Sequence, residues 1–321
     1  MMNDTHAVNI ISFVSDIYLK LTAQMQEVEV IENCSASSAS RAMWSCAVLL
    51  QQLPSEADES FLHERQVDFY HQLSGILLTS HLSPTDCSSA MWAMAKCGYA
   101  LDKGCFDFLA QKLAEMLEIS STRLVAQALW SCAKMIRYEK QSPDKSPPYM
   151  ESVVKFIRHL IDNSDQMTPI QISQTIWSIG SLRILDPTIA EQLSVVALRN
   201  AAHCNSQEIA NIVWGFSKVN YKNLDVISEL VRYITESIVL REECSSQEAS
   251  NILYALGKLQ IRDVHVYESL SCILMNHLHD ASSQAIANAL WAHDVVGIEP
   301  PMALMGCWAK ERLGMNDIQL E

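Results

Sequence analysis

Apolar and polar residues alternate along this chain in a pattern that recurs seven times. Each copy is a helix-like run centred on one aromatic residue, as in SSASRAMWSCAVL around Trp44 and QEIANIVWGFSKV around Trp214. The seven central aromatics are Trp44, Trp92, Trp130, Trp177, Trp214, Tyr254 and Trp291, spaced by 48, 38, 47, 37, 40 and 37 residues. The two longest spacings contain insertions near residues 51–60 and 141–148. Self-similarity at such a period predicts an array of helical repeats.

A helix-start signal stands nine residues before each aromatic. This position holds Ser, Thr or Asn in every copy, and these side chains accept a hydrogen bond from an orphan N–H of the first helical turn. The seven predicted N-caps are Ser35, Ser83, Ser121, Thr168, Asn205, Ser245 and Ser282. Gln171, Glu208 and Glu248 follow their caps by three residues and predict capping boxes. Asp86 suits the positive end of its helix dipole.

A second amphipathic segment follows each of the first six aromatic-centred runs. Its apolar residues recur at i, i+3, i+4 and i+7, and the six predicted second helices are residues 61–79, 105–119, 149–161, 187–200, 224–240 and 264–279. Residues 5–28 and 301–313 look like further second helices. The pattern predicts an all-α fold, a right-handed α-solenoid of about seven helix–turn–helix repeats. It forms a single array, with a half-repeat helix in residues 1–33 and seven repeats in 34–315.

Small residues flank each aromatic at two positions. The residue four before it is Ser or Ala, and the residue after it is Ser, Ala or Gly. Small side chains at these spacings let neighbouring helices approach closely. The aromatic itself is predicted to be a core anchor, because Trp is a large apolar body that stabilises packed interfaces.

Composition and motifs exclude several classes of protein. The chain has 321 residues with a net charge of −14, which argues against indiscriminate binding to nucleic acid or anionic membranes. No apolar run reaches the ~18 residues that span a bilayer, and residues 1–9 carry no basic signal region. Phosphate-binding glycine loops, HExxH and GxSxG are absent. We therefore predict no enzyme activity, no cofactor and no membrane partner.

The ten cysteines contain no CxxC pair. Several lie in apolar runs beside Trp or Leu, so we interpret them as reduced, buried small hydrophobes in a reducing compartment. Without ligand spacing, no metal site is predicted.

The string SQEIANIVWGFSKVNYKNLDVISELVRYI, with SQEASNILYALGKLQ after it, resembles the octotricopeptide repeat. It is also similar to the related heptatricopeptide repeat and to the FAST kinase-like leucine-rich region. The resemblance extends from Ser35 to about Met315 and is best in residues 205–255. It implies a helical solenoid that binds organellar RNA and acts in transcript stability, processing, splicing or translation in the mitochondrion or chloroplast. Many such proteins carry a C-terminal RAP domain, and none is visible here.

Four positions relative to the aromatic, −7, −3, +1 and +4, fall on one stripe of the first helix. They recur as amide, amide, small residue and cation. Amides can read a base edge, a small residue lets a nucleotide approach, and a Lys binds phosphate. With the resemblance, this predicts single-stranded RNA read at one base per repeat. The candidate RNA-binding residues are Lys96, Arg123, Gln127, Lys134, Gln174, Gln207, Asn211, Lys218, Gln247, Asn251, Lys258, Gln284 and Asn288.

Other interpretations stay open at this point. The amides can instead form a ladder that bonds the backbone of the neighbouring repeat, or the stripe can be an ordinary solvated face. The whole chain can be an acidic scaffold, like armadillo or HEAT arrays, whose outer face meets a basic protein. It can also be a fragment of a longer RAP-domain protein, since the array begins on a half-repeat.

Overall fold

The computed structural model describes residues 34–51, 59–98, 103–136 and 147–306. Every regular element in these ranges is helical, which confirms the all-α prediction. The predicted half-repeat helix in residues 1–33 lies outside the described residues, as does most of each insertion. Of the predicted helix 301–313, residues 302–306 are helical and the rest lies outside the described ranges.

Helix and turn alternate as the repeat pattern predicts. In chain order the helices are α1 (Ala36–Leu50), α2 (Glu59–Thr79), α3 (Pro84–Cys97), α4 (Lys103–Glu115), α5 (Thr122–Met135), α6 (Met150–Asp162), α7 (Pro169–Leu182), α8 (Pro187–Asn200), α9 (Ser206–Lys218), α10 (Leu224–Glu236), α11 (Ile238–Glu243), α12 (Ser246–Leu259), α13 (Val264–Asn276) and α14 (Ser283–Val296). The first helices of the repeats are α1, α3, α5, α7, α9, α12 and α14. The second helices are α2, α4, α6, α8, α10 and α13.

The predicted N-caps are confirmed at all seven first helices. In five of them the cap side chain accepts a backbone N–H of the first turn, whereas Ser121 makes no such bond. The three predicted capping boxes are present. Asp86 adds a fourth, because its carboxylate accepts the Ser83 N–H at 3.0 Å. These local bonds set the start of each first helix.

Three predicted second helices end differently from the pattern. Residues 224–240 do not form one helix: the chain breaks at Ser237, whose side chain accepts the Leu240 N–H and starts the short helix α11. The predicted ends of 105–119 and 264–279 are 3-10 turns, Leu117–Ile119 and Leu278–Asp280. Apolar periodicity continues through each of these segments, so periodicity alone does not reveal where the backbone leaves the α-helix.

The chain divides into two compact units, Met1–Asp162 and Asn163–Glu321. In the first unit, α1, α3 and α5 pack on one another in order, and each contacts the second helix that follows it. The second unit repeats this arrangement with α7, α9, α12 and α14. Sequential packing of first helices within each unit is typical of helical repeats. The continuous right-handed array of seven repeats stays a prediction.

Close contact between first helices explains the small residues beside the aromatics. The Ser88 hydroxyl donates to the Leu124 carbonyl at 2.9 Å, from α3 to α5. In the second unit, a Cβ added to Gly180 would lie 2.8 Å from Gly215 Cα. The helices therefore touch through backbone atoms, as the prediction of small residues at these positions requires.

The cysteines are largely placed as predicted. Six of the nine described cysteines are buried: Cys46, Cys87, Cys105, Cys132, Cys204 and Cys244. Burial raises the pKa of Cys46 to about 12, so this thiol stays protonated and packs as a small apolar group. Cys272 is exposed, and for this residue the prediction of burial is wrong. It lies on α13, a second helix whose outer side is solvated.

Candidate nucleic-acid interface

Each first helix presents one solvent-accessible side, on which the predicted stripe lies. In the fifth repeat Gln207 is exposed, and Asn211 and Lys218 are half-buried. Gln247, Asn251 and Lys258 occupy the same environments in the sixth repeat. The stripe positions −7, −3 and +4 therefore reach solvent on neighbouring helices.

The +1 position does not belong to this surface. Ala93, Ser131, Ser178, Gly215 and Ala255 are all buried. At about 100° per residue, +1 lies about 100° around the helix from the aromatic, while −7, +4 and −3 lie about 20°, 40° and 60° from it. The small residue at +1 thus accommodates the neighbouring helix and not a nucleotide.

The same geometry places the aromatic on the stripe, which corrects its interpretation as a core anchor. Trp44 and Trp291 are 43% and 41% exposed. The five aromatics between them, Trp92, Trp130, Trp177, Trp214 and Tyr254, are half-buried. Because Trp is largely apolar, the sequence suggested that the seven aromatics are buried in the core. Their angular position instead places them among the polar residues of the first helix.

In the first unit the aromatic rings and two lysines alternate along the surface. The rings of Trp44 and Trp92 lie 5.8 Å apart between centroids. Lys96 Nζ lies 5.5 Å from the centroids of both Trp92 and Trp130, and Lys134 Nζ lies 5.3 Å from Trp130. We call these five residues the unit 1 ladder. Each cation–aromatic contact contributes about 0.5–1 kcal/mol at an exposed site.

The second unit contains a ladder of the same design. Trp177 and Trp214 stack at 5.9 Å with their planes 19° apart, and Tyr254 and Trp291 lie 5.0 Å apart. Between these two pairs, Lys218 Nζ lies 4.9 Å from the Trp214 centroid and 4.7 Å from that of Tyr254. We call these five residues the unit 2 ladder. Its alternation of ring pair, lysine and ring pair follows from one aromatic per repeat and a Lys at +4.

Two further cations, Lys258 and Arg183, lie near this ladder. Burial lowers the pKa of Lys258, and the nearby charges of Lys218 and Arg183 lower it further. None of these three cations forms an ion pair within the described ranges. Arg183 was not among the predicted site residues. It lies at +6 from Trp177, in a left-handed turn with φ 54°, in the repeat that has Ser181 at +4 instead of Lys.

The stripe amides fall into three groups. Gln127 donates to the Ser88 carbonyl of the preceding repeat at 3.1 Å, as the inter-repeat ladder interpretation requires. Asn251 and Asn288 instead accept from the Gln four residues earlier, at 3.0 and 2.9 Å. A third group comprises Gln174, Gln207 and Asn211, whose side-chain amides make no hydrogen bond to another described residue. Inter-repeat bonding therefore accounts for one of the eight amides.

Four acidic residues of the second unit lie on helices other than the first helices. Glu229 and Glu236 lie on α10, where both pair with Arg232 at 3.0 and 3.5 Å. Glu242 and Glu243 lie exposed on the short helix α11. The stripe lysines Lys218 and Lys258, on α9 and α12, are therefore on different helices from these four acids.

Other site types receive no support from the described residues. No group of His, Cys, Asp and Glu among them has the arrangement of a metal site, and none of their helices is long and apolar enough to cross a membrane. No family model and no curated protein sequence matches the chain. The interpretation of this surface therefore rests on its own chemistry and on the resemblance of the repeat.

Proposed function

We propose that this protein binds single-stranded RNA along the first-helix surfaces, through the two ladders and the neighbouring amides. The observation that carries the proposal is the repeated combination of aromatic ring and lysine on one face. Proteins that bind single strands combine stacking rings with cations that track phosphates. Exposed amides at −7 and −3 add groups that hydrogen-bond base edges. No metal-binding cluster accompanies them among the described residues, and the sequence contains no phosphate-binding glycine loop, which favours escort or protection of the strand over its cleavage.

The resemblance to octotricopeptide-type repeats extends the proposal to a cellular role. It supports a function in organellar RNA processing, stability or translation, in the mitochondrion or chloroplast. The acidity of the whole chain is compatible with this role, because RNA would contact the cations at short range, while Glu229, Glu236, Glu242 and Glu243 lie on other helices than the stripe lysines.

The test is fluorescence-anisotropy binding to a pool of ~15-nucleotide single-stranded RNAs. We expect a Kd of about 1 µM or tighter at low salt. The quadruple variant with Lys96, Lys134, Lys218 and Lys258 changed to Ala should weaken binding. It should also reduce the log–log salt slope by about 2–3 units, because each phosphate contact on a single strand contributes about 0.7.

A matched control changes four cations on second helices to Ala, namely Lys112, Lys155, Arg199 and Arg232. It alters net charge by the same amount, and each of these residues pairs with an acid at the surface. Its affinity and salt slope should stay close to those of the parent. If both variants lost the same RNA affinity, the effect would come from net charge alone, and binding through the ladders would be contradicted.

A protein-binding scaffold is the second candidate, and one surface favours it. A groove of about 650 Å³ lies between α11 and α13, lined by Ile238, Glu242 and Glu268 among others. Ile238 is 69% exposed and the adjacent Val239 61% exposed. Exposed apolar side chains beside Glu242 and Glu268 suit a basic amphipathic helix, although Arg241 also lines the groove. Binding of a Lys- and Leu-rich helical peptide that is lost in Ile238→Asp, with no RNA binding, would favour this candidate.

A further inference from the structure

Two gaps in the ladders are occupied by a lysine and bordered by an aromatic ring on each side. One lies between Trp92 and Trp130, where Lys96 Nζ is 5.5 Å from both centroids. The other lies between Trp214 and Tyr254, where Lys218 Nζ is 4.9 and 4.7 Å from the centroids. An aromatic group stacked on another has its centroid about 4.5–7 Å away. The ammonium groups therefore stand where the centre of a stacked base would stand.

We propose that these two gaps are nucleobase slots, which rests on the proposed RNA binding. A single-stranded base enters between the two rings, and the lysine that filled the gap moves out to a phosphate of the same strand. Lys218 is suited to this exchange, because it forms no ion pair among the described residues and has one hydrogen bond, donated to Tyr254 Oη at 3.4 Å. Lys96 is held similarly, by Gln51 Oε1 at 3.3 Å.

The remaining ring pairs of the ladders offer no such space. Trp44–Trp92, Trp177–Trp214 and Tyr254–Trp291 already contact each other at 5.8, 5.9 and 5.0 Å. A base could enter there only by separating two stacked rings and losing their contact. Closed ring pairs thus alternate with lysine-filled gaps, and the structure assigns one slot to each unit.

The slot between Trp214 and Tyr254 has neighbouring groups that could bind both the base and the phosphate of a nucleotide. Asn211 lies one turn before Trp214 on the same helix, and its amide makes no hydrogen bond to another described residue. Burial lowers the pKa of Lys258, and Lys218 and Arg183 both lie close enough to Lys258 for charge repulsion to lower it further. A phosphate placed among these three cations would relieve that repulsion, which favours outward movement of Lys218 when RNA binds.

The experiment compares ring variants with two probes, a 15-nucleotide oligouridylate and an abasic ribose-phosphate oligomer of the same length. The parent should prefer the oligomer with bases. Tyr254→Leu and Trp130→Leu should each weaken oligouridylate binding by about 5- to 100-fold, the range for losing one base–aromatic stack. Binding of the abasic probe should change by less than about twofold.

Trp291→Leu and Trp44→Leu are the comparison variants, because these ladder rings are more exposed yet border no lysine-filled gap. They should weaken oligouridylate binding less than Tyr254→Leu and Trp130→Leu do. Phe108→Leu is the matched control: this ring lies on α4, outside both ladders, with Lys112 Nζ 5.8 Å from its centroid, and its loss should change oligouridylate affinity by less than about twofold. Losses at Trp291 equal to those at Tyr254 would show that bases stack on any exposed ring and would overturn the slots. Lys218→Gln should reduce the salt slope by about 0.7 and keep the preference for bases.

The outcomes separate this inference from the function on which it rests. If the parent binds neither probe nor the RNA pool, the proposed function fails and the slots fail with it. A second outcome is that the parent binds RNA, with affinity lost in the lysine variants and kept in Tyr254→Leu and Trp130→Leu. In that case the proposed RNA binding stands and the slots are wrong. Circular-dichroism spectra and thermal unfolding of each variant identify any that has lost its fold.

Discussion

At the scale of single residues, His293 has the most constrained environment of the described histidines. It is buried on α14, with Nε2 2.8 Å from Ser271 Oγ and Nδ1 3.3 Å from the Ile298 carbonyl oxygen. Because a carbonyl only accepts, Nδ1 carries the proton and Nε2 accepts from the Ser271 hydroxyl. The Tyr267 ring packs edge-on at 5.0 Å. The neutral ring thus joins α13, α14 and the turn after α14.

This arrangement predicts a stability that depends on pH. Burial lowers the pKa of His293, and the bond to Ile298 offsets part of this effect. The unfolded state, with a pKa of about 6.5, therefore takes up the proton first as pH falls. The stabilising contribution should be complete above about pH 6.5 and should be lost as pH falls toward the lower pKa of the folded state.

The measurement is urea unfolding followed by circular dichroism at pH 7.5 and 5.5. His293→Leu should lose about 1–3 kcal/mol at the higher pH, because the Ser271 hydroxyl is left without an acceptor. The free energy of unfolding of this variant should also differ less between the two pH values than that of the parent. His265→Gln changes an exposed histidine and should keep the difference of the parent. An unchanged pH difference in His293→Leu would contradict this assignment.

At the scale of helices, stability depends on how closely neighbouring first helices approach. In the second unit, α7 meets α9 through Gly180 against Gly215, and α12 meets α14 through Gly257 against Ala292. These contacts involve backbone atoms, which cannot rotate away as a side chain can. Helix propensity alone favours Ala over Gly by about 1 kcal/mol. Glycine at these positions therefore lowers local helix stability but allows the close contact between helices.

Gly215→Ala should therefore destabilise the second unit. Its Cβ would lie 2.5 Å from the Ile176 carbonyl oxygen, and such overpacking costs about 1–3 kcal/mol. Gly75→Ala on α2 is the matched control, because an added Cβ there meets nothing within 4 Å. It should leave stability unchanged or raise it by up to about 1 kcal/mol. A stabilising Gly215→Ala in urea unfolding would mean that α7 and α9 are not in backbone contact.

At the scale of the molecule, the acidic net charge is compatible with the RNA binding that we propose. The net charge is −14, but at physiological ionic strength charges are screened beyond about 8 Å. A phosphate on a first-helix surface would contact the ladder lysines directly. The second helices lie about 8–10 Å further away, one interaxial distance. Binding should thus weaken with salt as it does for basic proteins, which is why the three ladder lysines and Lys258 are the residues to change.

The sequence predicted where the first helices start, but it missed one helix break and one residue of the candidate site. The first helices start where Ser35, Asn205 and Ser245 predicted, because a cap bonds to residues three positions away. The break at Ser237 was missed, since apolar spacing continues through it. In the candidate site, the lysines and amides were predicted from their recurrence at fixed positions. Arg183 was missed because it lies at +6 from its aromatic, in a left-handed turn, and not at +4 like the lysines.

The aromatics show most clearly what sequence alone determines. The repeat period, the helix starts and the angular stripe follow from interactions within a few residues of each position, and these were readable directly. Whether Trp92 or Tyr254 is buried, and whether Lys96 or Lys218 lies between two rings, depends on the distance and angle between helices about 37–40 residues apart. The grouping into two units depends on the same contacts. Only the tertiary structure decided these features, because helix packing is the sum of many side-chain contacts that no single repeat contains.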